Sequence, residues 1–534
     1  MTTPRSRWFA LLFISIAISL IIVDATIVNV AIPSIVNDLG ITSSQVQWVQ
    51  ESYTLVFAAL LVLFGTAADR FGRRRVLVIG VAVFTIASIL AGLAPTGDLL
   101  IAARVLQGVG GAMVLPTTLS IINATFRGRE RAIAFAIWGS IIGGMAAAGP
   151  LLGGWLTTDF SWRWAFGVNV PFGIIVIIGL LVTATESRAG ADRGFDVVGA
   201  LFSIVTTASL VFALIEGRSY GWWLATDGLT IGSWEWPVAV SPIPFFFALS
   251  IAAALVFVWW SRRRRTRGLS TMIALDLFTI PSFRNGNLVG LVVNLGELGV
   301  LFVLPMWVQN VLGFDAFGAG LLLLSLAIGS FLASGMVSAL SRRMTPVAIV
   351  RAGLVLEIVS ITALALVLSP DATWQLLAPL LFFYGMGIGL TSAQLPNVVL
   401  SHVPVEQSGQ ASGTQSTSRQ VGAALGIAIL GTVLFSTLGT ELDAHLAALG
   451  IPQEPRAGLV AAVVDSAGAA IPGLGNDPET APIAEQARLA FSDAARYSSL
   501  GAAGFLALGL IASVSLGSGR REDEVAAAAK AIAG

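Results

Sequence analysis

Long apolar stretches, separated by short polar connections, recur from one end of this chain to the other. A membrane core of about 30 Å needs about 20 apolar residues in an α-helix, so each such stretch predicts a membrane-spanning helix. Fourteen stretches reach that length, at approximately residues 8–33, 46–68, 75–95, 99–122, 131–157, 164–185, 195–216, 242–260, 284–312, 317–341, 346–368, 374–401, 409–436 and 497–518. The pattern predicts an all-α polytopic membrane protein with 14 transmembrane helices.

The basic residues predict how these spans are oriented. The first span is longer than the apolar core of a signal peptide and contains Asp24, so we interpret it as an uncleaved span. Arginines concentrate in alternate connections, among them 70–75, 127–131 and 262–267. Because basic connections stay on the cytoplasmic side, we expect a multi-pass protein of the plasma membrane with both termini in the cytoplasm.

The composition excludes several classes of protein and of site. Hydrophobic residues make up 56% of the 534 positions and charged residues 11%, whereas roughly a quarter of a soluble domain is charged. The net charge of zero gives no basic field for nucleic acid. The chain has no cysteine, two separated histidines and one lysine, Lys530, so we expect no metal site, no cofactor and no ATP-binding loop.

Two connections are longer than the others. Residues 261–283 form a predicted cytoplasmic linker whose arginine run, Arg262–Arg265, would attract anionic headgroups of membrane lipids. The segment Met272–Phe278 within it fits a short amphipathic helix on the membrane surface. Residues 437–496 form a predicted extracellular loop, which is either a tolerated insertion or a segment with a role in substrate entry or partner docking.

A distinctive loop follows the second span. It reads Gly-Thr-Ala-Ala-Asp-Arg-Phe-Gly-Arg-Arg-Arg, and its candidate gating residues are Gly65, Asp69, Arg70, Gly72 and Arg73. A purely topological anchor would need the positive charges alone, without the spaced glycines and the acid. The spacing resembles the signature loop of the major facilitator superfamily.

The fourth and fifth spans carry further motifs of that kind. Arg104 and Gln107 share one face of the fourth span, which is similar to the superfamily's fourth-helix motif. The fifth span resembles the antiporter motif of its exporters, in the residues Gly139, Gly143, Gly149, Pro150, Gly153 and Gly154. Generic close packing of helices through glycine is the alternative explanation.

The whole chain resembles one branch of this superfamily, the fourteen-span drug:proton antiporters. The resemblance rests on Val23–Pro33 in the first span, Leu275–Arg284 after the linker and Ser412–Gly426 in the thirteenth span. One departure is Ala339, which stands where the second half would have the counterpart of Asp69.

The resemblance implies the major facilitator fold, two six-helix bundles with two additional central helices. We expect an N-terminal bundle at 8–185, inserted spans at 195–260, the linker at 261–283, a C-terminal bundle at 284–518 and a cytoplasmic tail at 519–534.

Four ionisable residues lie well inside predicted spans, where each is costly without a partner, water or a function. By the resemblance, Asp24, Arg104 and Glu297 lie on cavity-lining core helices, and they are the candidates for proton coupling. Gln107, and Asn294 one turn before Glu297, would extend the polar cavity wall. Glu357 falls on a peripheral core helix and is expected to be structural.

The sequence thus predicts a transporter and not an enzyme. The predicted function is proton-coupled export of amphipathic or cationic small molecules, as in multidrug efflux, by alternating access. A dedicated exporter of one metabolite, antibiotic or amino acid shares every motif above and stays an alternative. A proton symporter that imports its substrate is disfavoured by the antiporter motif, and a membrane enzyme or sensor by the lack of a catalytic constellation or signalling domain.

Overall fold

The protein is almost entirely α-helical in the residues that the structure, a computed structural model, describes: 4–188, 194–226, 230–231 and 234–516. The helices are α1 (Pro4–Leu39), α2 (Ser43–Phe71), α3 (Arg73–Gly92), α4 (Gly97–Thr125), α5 (Gly128–Asp159), α6 (Arg163–Gly167), α7 (Asn169–Thr183), α8 (Val197–Glu216), α9 (Ile243–Thr266), α10 (Pro281–Asn310), α11 (Ala316–Leu340), α12 (Pro346–Val367), α13 (Trp374–Val399), α14 (Ser408–Ala448), α15 (Gln453–Asp465), α16 (Ala470–Gly475) and α17 (Ala481–Ser513). Two antiparallel strands of two residues each, β1 (Thr230–Ile231) and β2 (Trp234–Glu235), lie between α8 and α9.

The helices follow the predicted spans. Thirteen helical segments in the described residues are long and apolar enough to cross a membrane, with α6 and α7 together forming one of them. The fifth predicted span is not among those thirteen, but it too is a helix, α5, of 32 residues. An all-α polytopic fold follows from the hydrophobic pattern, as predicted.

Helix starts are set by residues that cap the free backbone N–H groups. Thr42 and Gln45 form a reciprocal capping box at the start of α2, while Thr96 and Asp315 cap α4 and α11 through their side chains. Gly72 separates α2 from α3 with a φ of 109°, a backbone angle that favours glycine.

The helices pack into two groups, and a few pairs of contacting helices join one group to the other. Among the first helices, α2 and α3 pack on α4, and α1 packs on α5 and α7. Among the later ones, α12 and α11 pack on α13, and α10, α14 and α17 pack on one another. The two groups meet mainly where α2 contacts α14 and where α5 contacts α11 and α13.

The inserted pair, α8 and α9, lies on the α2 and α14 side, with α8 inward and α9 largely exposed to the surroundings. Asp196 is the residue that ties the pair to the linker. It is buried, and its carboxylate accepts from the backbone N–H of Gly199, the indole of Trp260 and the backbone N–H of Met272. Three segments of chain, the start of α8, the end of α9 and the linker, therefore meet at one carboxylate.

The linker does not form the expected amphipathic surface helix. Residues Leu275–Thr279 form a 3-10 helix instead, and Met272 and Leu277 are fully buried. The Met272 carbonyl accepts from Thr66 of α2, and the Ala274 N–H donates to Gln410 of α14. Met272, Ile273 and Leu277 of this segment thus pack against protein.

The segment 437–496 is also not the predicted loop, because most of it is helical. α14 continues to Ala448, α15 and α16 follow, and α17 begins at Ala481. Leucines four residues apart, Leu438, Leu442 and Leu446, form a buried stripe on the extended α14, and the alanine-rich composition favours helix. With 41 residues, α14 is about 60 Å long and reaches well beyond a membrane core of about 30 Å. The predicted tail, 519–534, lies outside the described residues.

Candidate functional site

A buried polar cluster occupies the interior of the first group of helices. Asp24 of α1 is completely enclosed, and its carboxylate accepts from Arg104 at 2.5 Å, Gln107 at 2.8 Å and Asn169 at 2.9 Å. Ser88 of α3 completes the cluster by accepting from Gln107 and Asn169. Side chains from four helices therefore meet in one hydrogen-bonded group. We name this group the Asp24 cluster.

Arg104 is held in place on all sides. Besides Asp24, its guanidinium donates to the side-chain oxygen of Gln107 and to the Val49 carbonyl, and it lies 4.4 Å from the ring centroid of Tyr53. A buried charge without a partner is strongly destabilising, and here the ion pair and its hydrogen bonds compensate both charges. The predicted residues Asp24, Arg104 and Gln107 come together, whereas Ser88 and Asn169 were missed because a lone serine or asparagine in a span carries little signal.

A second polar cluster lies among the later helices. Glu297 of α10 and Glu357 of α12 are both buried, and their carboxylates interact electrostatically. Thr391 of α13 donates to Glu357 at 2.8 Å, and the buried Tyr384 lies within electrostatic range of both acids, although its hydroxyl makes no hydrogen bond among the described residues. Arg419 of α14 interacts with Glu297. We name this set the Glu297 cluster.

Glu357, which was expected to be structural, lies on a helix for which the resemblance implies a peripheral position. Its helix packs on α13 and α17, but its side chain is directed inward, fully enclosed and next to a cavity residue. A helix at the periphery of a bundle still has one face that points into the bundle. The spans and their order could not indicate which face carries the acid.

A small cavity adjoins the Glu297 cluster. Its polar lining comprises Asn294, Glu297, Thr391, Ser392, Gln415 and Arg419. Arg419 donates to the Asn294 side chain at 3.4 Å, a long hydrogen bond, and one carboxylate oxygen of Glu297 lacks a hydrogen-bond partner among the described residues. The predicted pair Asn294 and Glu297 thus faces a polar space, and Asp24 does not, because it is enclosed in its own cluster.

The loop after α2 connects the two groups of helices. The buried carboxylate of Asp69 accepts from the backbone N–H groups of Gly409 at 2.8 Å and Gln410 at 2.9 Å, in the first turn of α14. Free N–H groups and the positive end of the helix dipole make such a terminus a site for an anion. Arg73 donates to Asp69 at 2.7 Å and also to the Val405 carbonyl, so it crosses between the two groups as well.

Glycines allow these helices to approach. A Cβ on Gly65 would lie 2.3 Å from the Gly409 carbonyl oxygen, and one on Gly72 would collide with Glu186. Arg70 is placed differently from its neighbours, with its guanidinium 5.5 Å from the Phe71 ring and 5.8 Å from the Phe195 ring. Gly65, Asp69, Gly72 and Arg73 therefore take part in the contact between α2, α3 and α14 or in the turn that shapes it.

Further hydrogen bonds close this end of the molecule, which we call the Asp69 end. Asn123 of α4 donates to Ser408, Arg131 of α5 donates to Asn397, and Gln394 of α13 donates to the Ala132 carbonyl. In the second half, where Ala339 replaces the acid, the contact is weaker: Arg129 donates to the Ser338 carbonyl at 3.3 Å. The two loops are not equivalent.

The glycine motif of α5 lies along two neighbours. Gly149 and Gly153 touch α1, since a Cβ on either would fall within 3 Å of Thr26 or Ile27, and Gly139 touches Ala393 of α13 in the same way. A Cβ on Gly154 would meet nothing within 4 Å. Gly143 and Pro150 lie outside the residues whose side chains the structure describes.

Comparison with protein families gives a match across most of the chain. Residues 14–427 match the family model described as Major Facilitator Superfamily. The "Multidrug resistance protein Stp" of Mycobacterium tuberculosis is 33% identical over 87% of this chain and 82% of its own length. The "Probable actinorhodin transporter" of Streptomyces coelicolor is 33% identical over 82% of this chain and 74% of its own, and the "Multidrug efflux pump LfrA" of Mycolicibacterium smegmatis is 32% identical over 83% of each.

Solved structures with the same fold share little sequence. The human organic anion transporter MFSD10 aligns with a TM-score of 0.61 at 12% identity, covering 96% of this chain and all of the other. The proton:xylose symporter XylE aligns with a TM-score of 0.59, also at 12% identity, covering 94% of both chains. The chain belongs to the major facilitator superfamily, and it is a membrane transporter and not an enzyme.

Proposed function

We propose that this protein exports amphipathic or cationic small molecules across the plasma membrane in exchange for protons. The observation that carries the proposal is that relatives about one-third identical over more than four-fifths of the chain are named as multidrug or antibiotic exporters. The fold gives two helical groups between which a substrate can be exposed alternately to either side.

Glu297 is our first candidate for coupling transport to protons. It borders the polar cavity and has an oxygen free to bind a proton or a cationic substrate. Asp24 and Arg104 are the second candidate, but both are occupied with each other and enclosed. A proton on Glu297 and a cation beside it would compete, which is the requirement for antiport.

The Asp69 end is the proposed cytoplasmic gate. Its hydrogen bonds between α2, α3 and α14 hold the two helical groups together there, an arrangement that suits an outward-facing carrier. In the proposed topology both termini are cytoplasmic, and the exposed arginines at the end of α9, among them Arg262 and Arg263, lie near anionic lipid headgroups.

Export of one compound is the alternative that specific relatives favour. The "Puromycin resistance protein pur8" of Streptomyces alboniger is 33% identical over 83% of this chain, and the actinorhodin transporter is equally similar. Multidrug and dedicated exporters would share the gate and the coupling site, and differ in the cavity lining.

The test uses the full chain in proteoliposomes. We expect ethidium or puromycin to move against its gradient when an imposed pH gradient drives protons the other way, and collapse of the gradient by an ionophore to stop the movement. Transport of ethidium together with several unrelated drugs supports multidrug efflux, and transport of one compound alone supports the dedicated exporter. Drug transport at the same rate with and without the pH gradient would refute proton antiport.

A further inference from the structure

The Glu297 cluster contains more acid than its surroundings balance. Glu297 interacts with Arg419, whereas Glu357 accepts one hydrogen bond from Thr391 and has a second oxygen without a partner among the described residues. The hydroxyl of Tyr384 is also buried without a partner there. One oxygen of each carboxylate and the Tyr384 hydroxyl thus lack a hydrogen-bond partner among the described residues.

The two halves of the chain can be matched at this point through glycine contacts. A Cβ on Gly110 of α4 would meet the Gly80 carbonyl and the Phe84 backbone of α3. A Cβ on Gly387 of α13 would meet the Gly353 carbonyl and the Glu357 backbone of α12 in the same way. The contact between α3 and α4 is therefore repeated between α12 and α13.

This match shows which residues differ between the halves. Glu357 takes the place of Phe84, four residues after the first glycine of each pair, and Thr391 takes the place of Val114, four residues after the second. The first half packs this contact with two apolar side chains. Packing therefore does not require an acid or its hydroxyl partner at these positions.

The charges of the two clusters differ accordingly. The Asp24 cluster has one carboxylate and one guanidinium, which balance. The Glu297 cluster has two carboxylates and Arg419. The other charged or titratable groups on the packed helices are Arg284 on α10, Arg351 on α12, Glu441, Asp443 and His445 on α14, and Glu485, Arg488, Asp493 and Arg496 on α17. Asp493 and Arg496, near the middle of α17, form an ion pair with each other at 2.9 Å. α11 and α13 bring no other charged side chain. Burying a second, uncompensated negative charge is costly, and one bound proton removes it.

We propose that Glu297 and Glu357 hold one exchangeable proton between them, and that this is the proton exchanged for substrate. The inference rests on the proposed antiport and names its coupling site. The proton arrives from water on one side and forms an O–H bond with the pair; that bond breaks when the proton leaves to the other side. Glu297 lines the cavity, and Glu357 accepts a hydrogen bond from Thr391, which lines it too, so a cation in the cavity and the proton compete for the same negative charge.

The test combines transport with infrared titration of the purified full chain. The parent should show the absorption of a protonated carboxyl group that persists above the pH at which exposed carboxylates ionise. Glu357→Gln leaves one carboxylate, Glu297, with Arg419 as its charge partner, so it should lose this absorption. Glu297→Gln removes the carboxylate that Arg419 balances and is tested by transport alone. Each variant should reduce ethidium efflux driven by a pH gradient at least tenfold, while exchange of ethidium down its own gradient continues.

A second variant guards against misfolding. Glu357→Phe combined with Thr391→Val copies the packing of Phe84 and Val114, and it should fold, lose the infrared band and lose uphill efflux. Asp38→Asn removes an acid from a partly exposed ion pair with Arg163 and is the matched control, with both readouts unchanged.

The outcomes separate this inference from the proposed function. If Glu357→Gln keeps either the band or full gradient-driven efflux, the shared proton is refuted. If the parent shows no efflux that depends on a pH gradient, the proposed antiport fails, and the role of the pair in coupling fails with it. The infrared titration still decides whether the pair holds a proton.

Discussion

At the scale of single residues, Asp24 is the acid whose loss should affect folding most. Asp24→Asn keeps the shape of the side chain but leaves the guanidinium of Arg104 buried without its anion, which costs about 3–5 kcal/mol. We expect a clearly lower midpoint of thermal unfolding for this variant in detergent. Arg104→Gln added to Asp24→Asn restores the charge balance and should recover part of the loss. A single variant as stable as the parent would contradict the structural importance of this ion pair.

Residue-level prediction from sequence succeeded where spacing along one helix was enough. Arg104 and Gln107 are three residues apart, so their shared face was predictable, and the intramembrane acid Asp24 was conspicuous among apolar neighbours. The direction of the Glu357 side chain was not predictable, and Thr391 and Arg419 were not connected with Glu297. These four residues lie on four helices, and their meeting depends on helix rotation, which an almost uniformly apolar sequence does not specify.

At the scale of elements, the contact between α2 and α14 depends on one charge. Asp69→Asn retains an oxygen for the N–H groups of Gly409 and Gln410 but removes the charge that interacts with the helix terminus and with Arg73. A charge at a helix terminus contributes about 0.3–1 kcal/mol, and up to about 2 kcal/mol when partly buried. We therefore expect the Asp69 end to open more often, by roughly tenfold, and transport to fall while expression persists.

Accessibility of a reporter site measures this opening directly. A cysteine introduced at Asn123, which faces Ser408 across the gate, should react faster with a thiol reagent in Asp69→Asn than in an otherwise identical background. Asp38→Asn, which alters an ion pair with Arg163 beside the start of α2 and so at the opposite end of that helix from Asp69, should change neither reactivity nor transport. Equal reactivity together with normal transport in Asp69→Asn would reduce the loop to an anchor for topology.

Elements were predicted well where they span the membrane and poorly where they do not. A span is fixed by its own apolar length, independently of its neighbours. The linker and the segment 437–496 have no such constraint, and their structure depends on what they pack against. Met272 and Leu277 are buried beneath neighbouring helices, and the leucine stripe of α14 is covered in its extension beyond the membrane. Alanine content and the repeat of leucines every four residues were the available signals for helix in that segment.

At the scale of the whole molecule, orientation decides which side the closed Asp69 end faces. The chain contains no cysteine, so single cysteines can be introduced without background. Ala461 lies exposed on α15 and Thr266 lies exposed at the end of α9, at positions that the arginine distribution places on opposite sides. In intact cells, Ala461→Cys should react with a membrane-impermeant maleimide, and Thr266→Cys should react only after the membrane is permeabilised. The cysteine-free parent is the control for labelling of other proteins.

The reverse pattern would place Asp69, its hydrogen bonds to α14 and the arginine run on the outside, and the proposed cytoplasmic gate would then be the outer one. With the expected pattern, the closed end faces the cytoplasm. Glu297 beside the cavity can then receive a proton from the outside, as substrate export driven by an inward proton gradient requires.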